Sequence, residues 1–323
     1  MVEVSDLEVD AVEHCNLKCA HCSHLSPYFK INKDYTLSKF KNDINILSKI
    51  LKTDIFRFVG GEPFLNLELD KMVKHVRESN IAKKISIFTN GLVLDKISLS
   101  TLMLFDDIRI SVYNLEKDKF NKILDNVEII KEKLKDTKTL VVENHIKTFL
   151  KFNLIEKNED KNLVKKIFDN CYHKKDSYSI YMGRLYRCFA TRKKHIFLNK
   201  FKSIVKGNFS KMLESSTDSI KIDNSLSEQK LNAFLFSNVP LEGCKWCLGC
   251  SGKRIKNGQL GIDYENDFAT LSDINFEEGK SYVSNCLKSW HREREEILIK
   301  DKFFDKKYDK DFNTFHSLKP SKI

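Results

Sequence analysis

Along the first half of this chain, short apolar runs of strand length alternate with longer stretches whose apolar residues recur every three or four positions. The runs Leu7 to Val12, Ile55 to Val59, Ile85 to Phe88, Ile108 to Val112 and Leu140 to Glu143 read as strands. Helices are predicted between them, near Ser38 to Leu51, Leu69 to Arg77, Ser98 to Phe105 and Lys117 to Leu134. In a parallel β/α barrel the active site forms from the loops that follow the strands, at their C-terminal ends. Here those loops are the segment from Glu13 to Cys22, then Gly60-Gly61-Glu62-Pro63, Thr89-Asn90-Gly91, Ser111-Val112-Tyr113 and Glu143-Asn144-His145. The pattern therefore brings five polar segments to one mouth.

The first of these loops holds Cys15, Cys19 and Cys22 at C-x3-C-x2-C spacing. Three thiolates can take three corners of a cubic 4Fe-4S cluster and leave one iron open to a small molecule. With His21 in the aromatic place, the loop resembles that of the radical S-adenosylmethionine (radical SAM) enzymes, C-x3-C-x-aromatic-C. The second loop, Gly60-Gly61-Glu62-Pro63, resembles that family's GGE segment, where backbone and carboxylate oxygens receive the methionyl ammonium of SAM. Glycines allow close backbone approach and a carboxylate suits an ammonium group, although a plain turn after a strand would use the same residues. The resemblance implies an α/β fold with a partial (βα)6 TIM barrel as the radical SAM core. It also implies cofactor contacts from Gly60, Gly61, Glu62, Asn90, Ser111 and His21.

Nine cysteines less this triplet leaves six. Cys171 is followed by Gly183 and, after four residues, by Cys188, in a segment that reads as a hairpin turning at the glycine. Cys244, Cys247 and Cys250 form two overlapping C-x2-C units, and Cys286 stands alone. This order resembles the auxiliary-cluster extension of radical SAM enzymes, called SPASM with two clusters and twitch with one. Two fully ligated cubanes need about eight thiolates, so the count favours a single auxiliary 4Fe-4S cluster. The twitch spacing implies Cys171, Cys188, Cys244 and Cys247 as ligands, with Cys250 and Cys286 as substitutes or ordinary thiols. A tetrahedral zinc site would use the same four thiolates. The expected division is a radical SAM core over residues 1–165 and an auxiliary SPASM/twitch-like domain with a C-terminal helix and tail over 166–323.

A chain of 323 residues exceeds a single hydrophobic core, in keeping with two modules, and 41% hydrophobic residues suffice for a sizeable interior. No run long enough to span a membrane occurs, and the acidic start Met1-Val2-Glu3-Val4-Ser5-Asp6 lacks the features of a signal peptide. An odd number of cysteines at metal-like spacing fits a reducing compartment, so a cytoplasmic location is expected. The formal charge of +11 favours an anionic partner, yet the basic residues interleave with acids as on a solvated face. No nucleic-acid motif is recognisable.

The resemblance implies reductive cleavage of SAM to a 5'-deoxyadenosyl radical that removes a hydrogen atom from the substrate, with an electron donor such as flavodoxin or ferredoxin. A twitch-type enzyme can pass the second electron to its auxiliary cluster, so the first expectation is an oxidoreductase that oxidises a carbinol of a sugar- or cyclitol-type small molecule. The alternatives are a peptide or protein maturase and a non-catalytic iron-sulfur or zinc module. Against the maturase, the cluster loop begins at Cys15, so no N-terminal leader-peptide recognition domain is expected ahead of it, and such a domain would be a separate protein. Tyr113, Glu143, His145 and Arg184 are candidates for the base that deprotonates the carbinol, on position near the mouth or module boundary alone.

Overall fold

The computed structural model describes residues 1–29, 35–113, 115–210, 212, 215–258, 267–285 and 288. Five strands alternate with helices in the predicted order. They are β1 (Val2–Val12), β2 (Leu51–Gly60), β3 (Ala82–Thr89), β4 (Asp107–Tyr113) and β5 (Leu140–Ile146). Helices α1 (Leu37–Leu47), α2 (Leu69–Ser79), α3 (Leu99–Leu102) and α4 (Lys117–Leu134) lie between them in turn. All neighbouring pairs from β1 to β5 are parallel.

The structure extends β2, β3 and β5 beyond the expected runs and shortens α3 to Leu99–Leu102, and the differences at the start of β1 and the end of α1 have one reason. β1 starts at Val2 rather than Leu7, because Val2 pairs with Leu51 and its N–H bonds the Ile50 carbonyl at 2.8 Å. Leu51 fits a helical and an extended period alike. A tight turn over Ser48 to Ile50 ends α1 at Leu47 and delivers Leu51 to the sheet.

The chain then departs from a simple succession of strands. β6 (Thr148–Leu150) pairs antiparallel with β10 (Arg254–Lys256) in a separate two-stranded ribbon. After α5 (Lys161–Asp169), which contains the expected division at residue 165, comes β7 (Tyr178–Tyr181). β7 is the sixth parallel strand, but it joins beside β1 rather than after β5. It turns through Met182 and Gly183, both at positive φ (46° and 80°), into β8 (Arg184–Tyr186), and β9 (Ser219–Lys221) completes the edge. Two consecutive left-handed residues are what a type I′ hairpin turn requires, hence the glycine. The mixed sheet runs β5-β4-β3-β2-β1-β7-β8-β9.

The two faces of this sheet are chemically opposite. On β1, Leu7, Val9 and Ala11 join the main core with Phe40 and Ile44 of α1, Phe56 and Phe58 of β2, and Met72 and Val76 of α2. Phe40, Phe56, Phe58 and Phe105 make edge and tilted ring contacts there, at centroid distances of 5.3 to 6.4 Å, and each buried ring contributes about 1.5–3 kcal/mol. Because side chains alternate along a strand, Asp6, Glu8 and Asp10 share the other face. There Arg57 stands opposite Glu8 in register and bonds Asp6 at 2.5 Å. Arg109 and Asp107, both fully buried, are 2.6 Å apart, and the guanidiniums of Arg57 and Arg109 lie 5.4 and 5.8 Å from the Phe88 ring centre. This charged layer is the inner lining of the partial barrel. No helix among the described residues is long and apolar enough to cross a membrane.

Candidate active site and cysteine centres

The loop after β1 carries the triplet to the C-terminal end of the parallel strands. Cys15, Cys19 and Cys22 line a cavity of about 280 Å³ together with Gly60, Gly61, Asn90, Ser111 and Tyr113. The glycine turn runs directly alongside the cysteine loop: Gly61 N–H bonds the Val12 carbonyl and Glu62 N–H the His14 carbonyl, each at 3.0 Å. A Cβ on Gly60 would sit 2.4 Å from the Val12 oxygen, and one on Gly61 would sit 1.7 Å from the His14 oxygen. Neither position tolerates a side chain, so the glycines are needed for this approach.

Glu62 is fully buried and outside the cavity lining. Its oxygens accept from Thr89 Oγ1 at 2.8 Å, Asn90 N–H at 2.8 Å and Phe64 N–H at 3.2 Å. Burial pushes its carboxyl up to about 7 against the pull of these donors. Asn90, held by Glu62, reaches the cysteine loop through Nδ2, 2.7 Å from Asn16 Oδ1 and 3.6 Å from Cys15 Sγ. His21 takes a left-handed backbone (φ 56°) and turns to Asp267, which accepts its N–H and lies 3.3 Å from Nδ1. Tyr28 donates to the same carboxylate.

Of the four residues expected as candidate bases, the cavity wall contains Tyr113, whose ring packs on Phe149 and whose phenol is pushed up by burial. Glu143 pairs with Lys131 of α4 and with His145, at 3.2 Å for the latter, and His145 is exposed. Arg184 is engaged by Ser219, with Nε 2.7 Å from its hydroxyl. These three do not line the cavity.

The wall also carries Glu8, His24 and Arg57, none of them foreseen from the sequence. Glu8 Oε1 has no hydrogen bond and lies 3.6 Å from Arg192 Nη1, and burial pushes its carboxyl up to about 7 against the attraction of Arg192. His24 Nδ1 is 3.1 Å from Asp10 and 2.8 Å from Arg192, and its ring stacks on Phe189 at 5.6 Å. Burial opposes ionisation of Asp10, yet Arg192, Lys193 and His24 outweigh it and hold that carboxyl well below the usual range. The available signal was the alternation Asp6-Leu7-Glu8-Val9-Asp10-Ala11, three acids at period two inside a buried strand.

The second set of thiols gathers beside this wall. Cys171 follows α5, Cys188 follows β8, Cys244 and Cys250 lie on two short 3-10 turns, and Cys247 is the extended residue that ends the first of them. Cys171 and Cys250 are 3.9 Å apart, and backbone N–H groups of Tyr172 and Gly249 donate to Cys250 and Cys247. Asp218 fixes the first turn by accepting from Glu242 N–H at 2.6 Å and Gly243 N–H at 2.9 Å. Cys286 lies outside the described residues.

The eight described cysteines are all free thiols. Burial pushes Cys15 up to about 12 and raises Cys188, Cys244 and Cys247 as well. Among the described residues, no three or more His, Cys, Asp or Glu side chains could hold a single metal ion. Buried thiols supplied with backbone donors are of the kind that would ligate an iron-sulfur centre, whose iron core compensates the thiolate charge when it binds.

The family described as "4Fe-4S single cluster domain" matches residues 9–131. GTP 3',8-cyclase of Clostridium botulinum is 25% identical over 125 residues, 38% of this chain and 39% of the relative. The Clostridium acetobutylicum GTP 3',8-cyclase is 28% identical over 163 residues, 46% and 44% of the two chains. The chain thus spans less than half the length of these curated relatives. Among solved structures, BtrN in complex with AdoMet and 2-DOIA aligns with a TM-score of 0.43 and 19% identity, covering 72% of this chain and 82% of BtrN. The structure of anSMEcpe with bound AdoMet aligns with a TM-score of 0.44 and 15% identity, covering 90% and 99%.

The parallel sheet carries the cysteine triplet at its C-terminal end with the glycine turn packed against that loop, the arrangement expected of a radical SAM core, and a second group of cysteines stands beside it.

Proposed function

We propose that this chain is a radical SAM dehydrogenase that oxidises a carbinol of a sugar- or cyclitol-type small molecule, with the second module holding an auxiliary 4Fe-4S cluster. The observation that carries this reading is a shared wall: His24 lines the cavity and stacks on Phe189, the residue next to Cys188. An electron acceptor held by Cys171, Cys188, Cys244 and Cys247, with Cys250 as the neighbouring thiol, would therefore adjoin the substrate chamber.

Cys15, Cys19 and Cys22 would hold the SAM-binding cluster. Once bound, that cluster and SAM supply a 5'-deoxyadenosyl radical for hydrogen abstraction, and the auxiliary cluster supplies an electron acceptor. The protein's own part is positional and protic. Gly60 and Gly61 let the second loop close on the cysteine loop, Asn90 and Ser111 line the cavity where they would contact the cofactor, and Glu62 holds Asn90 in place. Glu8 takes the hydroxyl proton as the carbinol becomes a carbonyl. A carboxylate whose pKa lies near neutrality can accept that proton and return it to solvent. Arg192 beside it steadies the charged form.

The experiment is an anaerobic assay of the reconstituted chain with SAM, a strong reductant and a panel of sugars and cyclitols deuterated at each carbinol carbon. Deuterium in 5'-deoxyadenosine together with one ketone per SAM supports the reading. A peptide product with no turnover of any polyol would replace it with the maturase alternative.

A further inference from the structure

Three consecutive buried cations open helix α6 (Lys194–Lys200) and the turn before it: Arg192, Lys193 and Lys194, exposed by 1%, 2% and 0%. Arg192 and Lys193 share the Asp10 carboxylate, at 2.5 and 2.7 Å. Lys194 has a different environment. Its Nζ donates to Asn153 Oδ1 at 2.7 Å and to the Trp246 carbonyl at 3.4 Å, and it lies 5.0 Å from the Phe152 ring centre. All three partners are neutral. Among the described residues no carboxylate is within ion-pair distance of it, whereas its partner Asn153 bridges to Cys247 and its partner Trp246 directly precedes that cysteine, and its charge opposes the burial that raises the Cys247 and Cys188 thiols. A fully buried ammonium without an anion costs several kcal/mol, so the lysine calls for a negative partner that the carboxylates do not supply.

We infer that Lys194 is the built-in counter-cation of the second cysteine centre and raises the potential at which a cluster there accepts an electron. The inference rests on the auxiliary-cluster reading above. Adding an electron to a thiolate-ligated cluster increases its negative charge, and a fixed cation in a dry site stabilises the reduced form more than the oxidised one. Asn153, which bridges to Cys247, and the Trp246 carbonyl, which belongs to the turn bearing Cys244, hold the ammonium beside the Cys244–Cys247 segment. Lys194 is thus a positioning and tuning residue that contacts neither SAM nor substrate.

The test uses the full chain with Cys15, Cys19 and Cys22 replaced by alanine, so that only the second centre loads, and an EPR-monitored redox titration after anaerobic reconstitution. Lys194→Met should lower the reduced-to-oxidised ratio at fixed potential about tenfold, a shift of about 59 mV for a one-electron couple, with iron content unchanged. Lys194→Arg should restore the midpoint. Asn153→Asp, which neutralises the ammonium in place, should lower it independently and covers the case in which Lys194→Met does not load. An iron cluster whose midpoint moves with neither Lys194→Met nor Asn153→Asp overturns this inference alone. Zinc in place of iron at the second centre overturns the auxiliary-cluster reading and this inference with it.

Discussion

Arg192 of the second module and Asp10 of the first strand form an ion pair of 2.5 Å, 182 residues apart in sequence and exposed by only 1% and 0%. The pair fastens the cysteine module to the inner face of the barrel next to the cavity.

Removing one partner leaves a buried charge uncompensated, so Asp10→Asn should cost about 3–5 kcal/mol of stability. Thermal or urea unfolding of the reconstituted chain measures it. The carboxyl of Asp10 is depressed in the folded state, so its contribution is complete above the unfolded value near 4 and declines as pH falls below it. The stability difference between Asp10→Asn and the unaltered chain should therefore narrow on acidification. A constant difference from pH 7 to pH 3 contradicts the assignment.

Glu8 has the opposite sign. Its folded value is raised to about 7, so the folded state holds the proton more tightly than the unfolded one, and stability is lost as pH rises from about 4.5 to about 7. Glu8→Gln should flatten that slope, by at most about 3 kcal/mol across the window. In turnover, Glu8→Gln should keep SAM cleavage while lowering ketone formation by about 10²-fold or more. Normal ketone formation by this variant rules Glu8 out as the base.

The parts legible in the sequence were those encoded locally. The βα alternation, the cysteine triplet and the hairpin at Gly183 each depend on residues close together in the chain, and each stands where the pattern put it. The cavity's charged wall was not legible, because Glu8, Arg57, His24 and Arg192 meet only through the pairing of β1 with β2 and β7. Glu8 and Asp10 sat inside a run read for its apolar members, where the acids carried the information about the inner face. Glu143 and Arg184 were placed near the mouth by sequence position. Local partners, Lys131 for one and Ser219 for the other, engage them instead.

Metal content separates one auxiliary cluster from none. The reconstituted chain should carry about eight irons, and about four should remain when Cys15, Cys19 and Cys22 are all replaced by alanine. About four irons with one zinc in the unaltered chain would instead identify a tetrahedral thiolate site.

The fate of the second electron is tested by Cys188→Ala. After a check that the module still folds, this variant should cleave SAM and move deuterium into 5'-deoxyadenosine but lose most ketone formation. Ketone made at the normal rate would assign the second module to substrate anchoring or structure.

Cleavage of SAM is the most direct measure of the central claim, since it requires only the triplet, the glycine turn and an open iron. Anaerobically reconstituted chain with SAM and a strong reductant should release 5'-deoxyadenosine slowly even without substrate, and Cys19→Ala should release none above background. Undiminished release by Cys19→Ala would contradict the radical SAM account of this site.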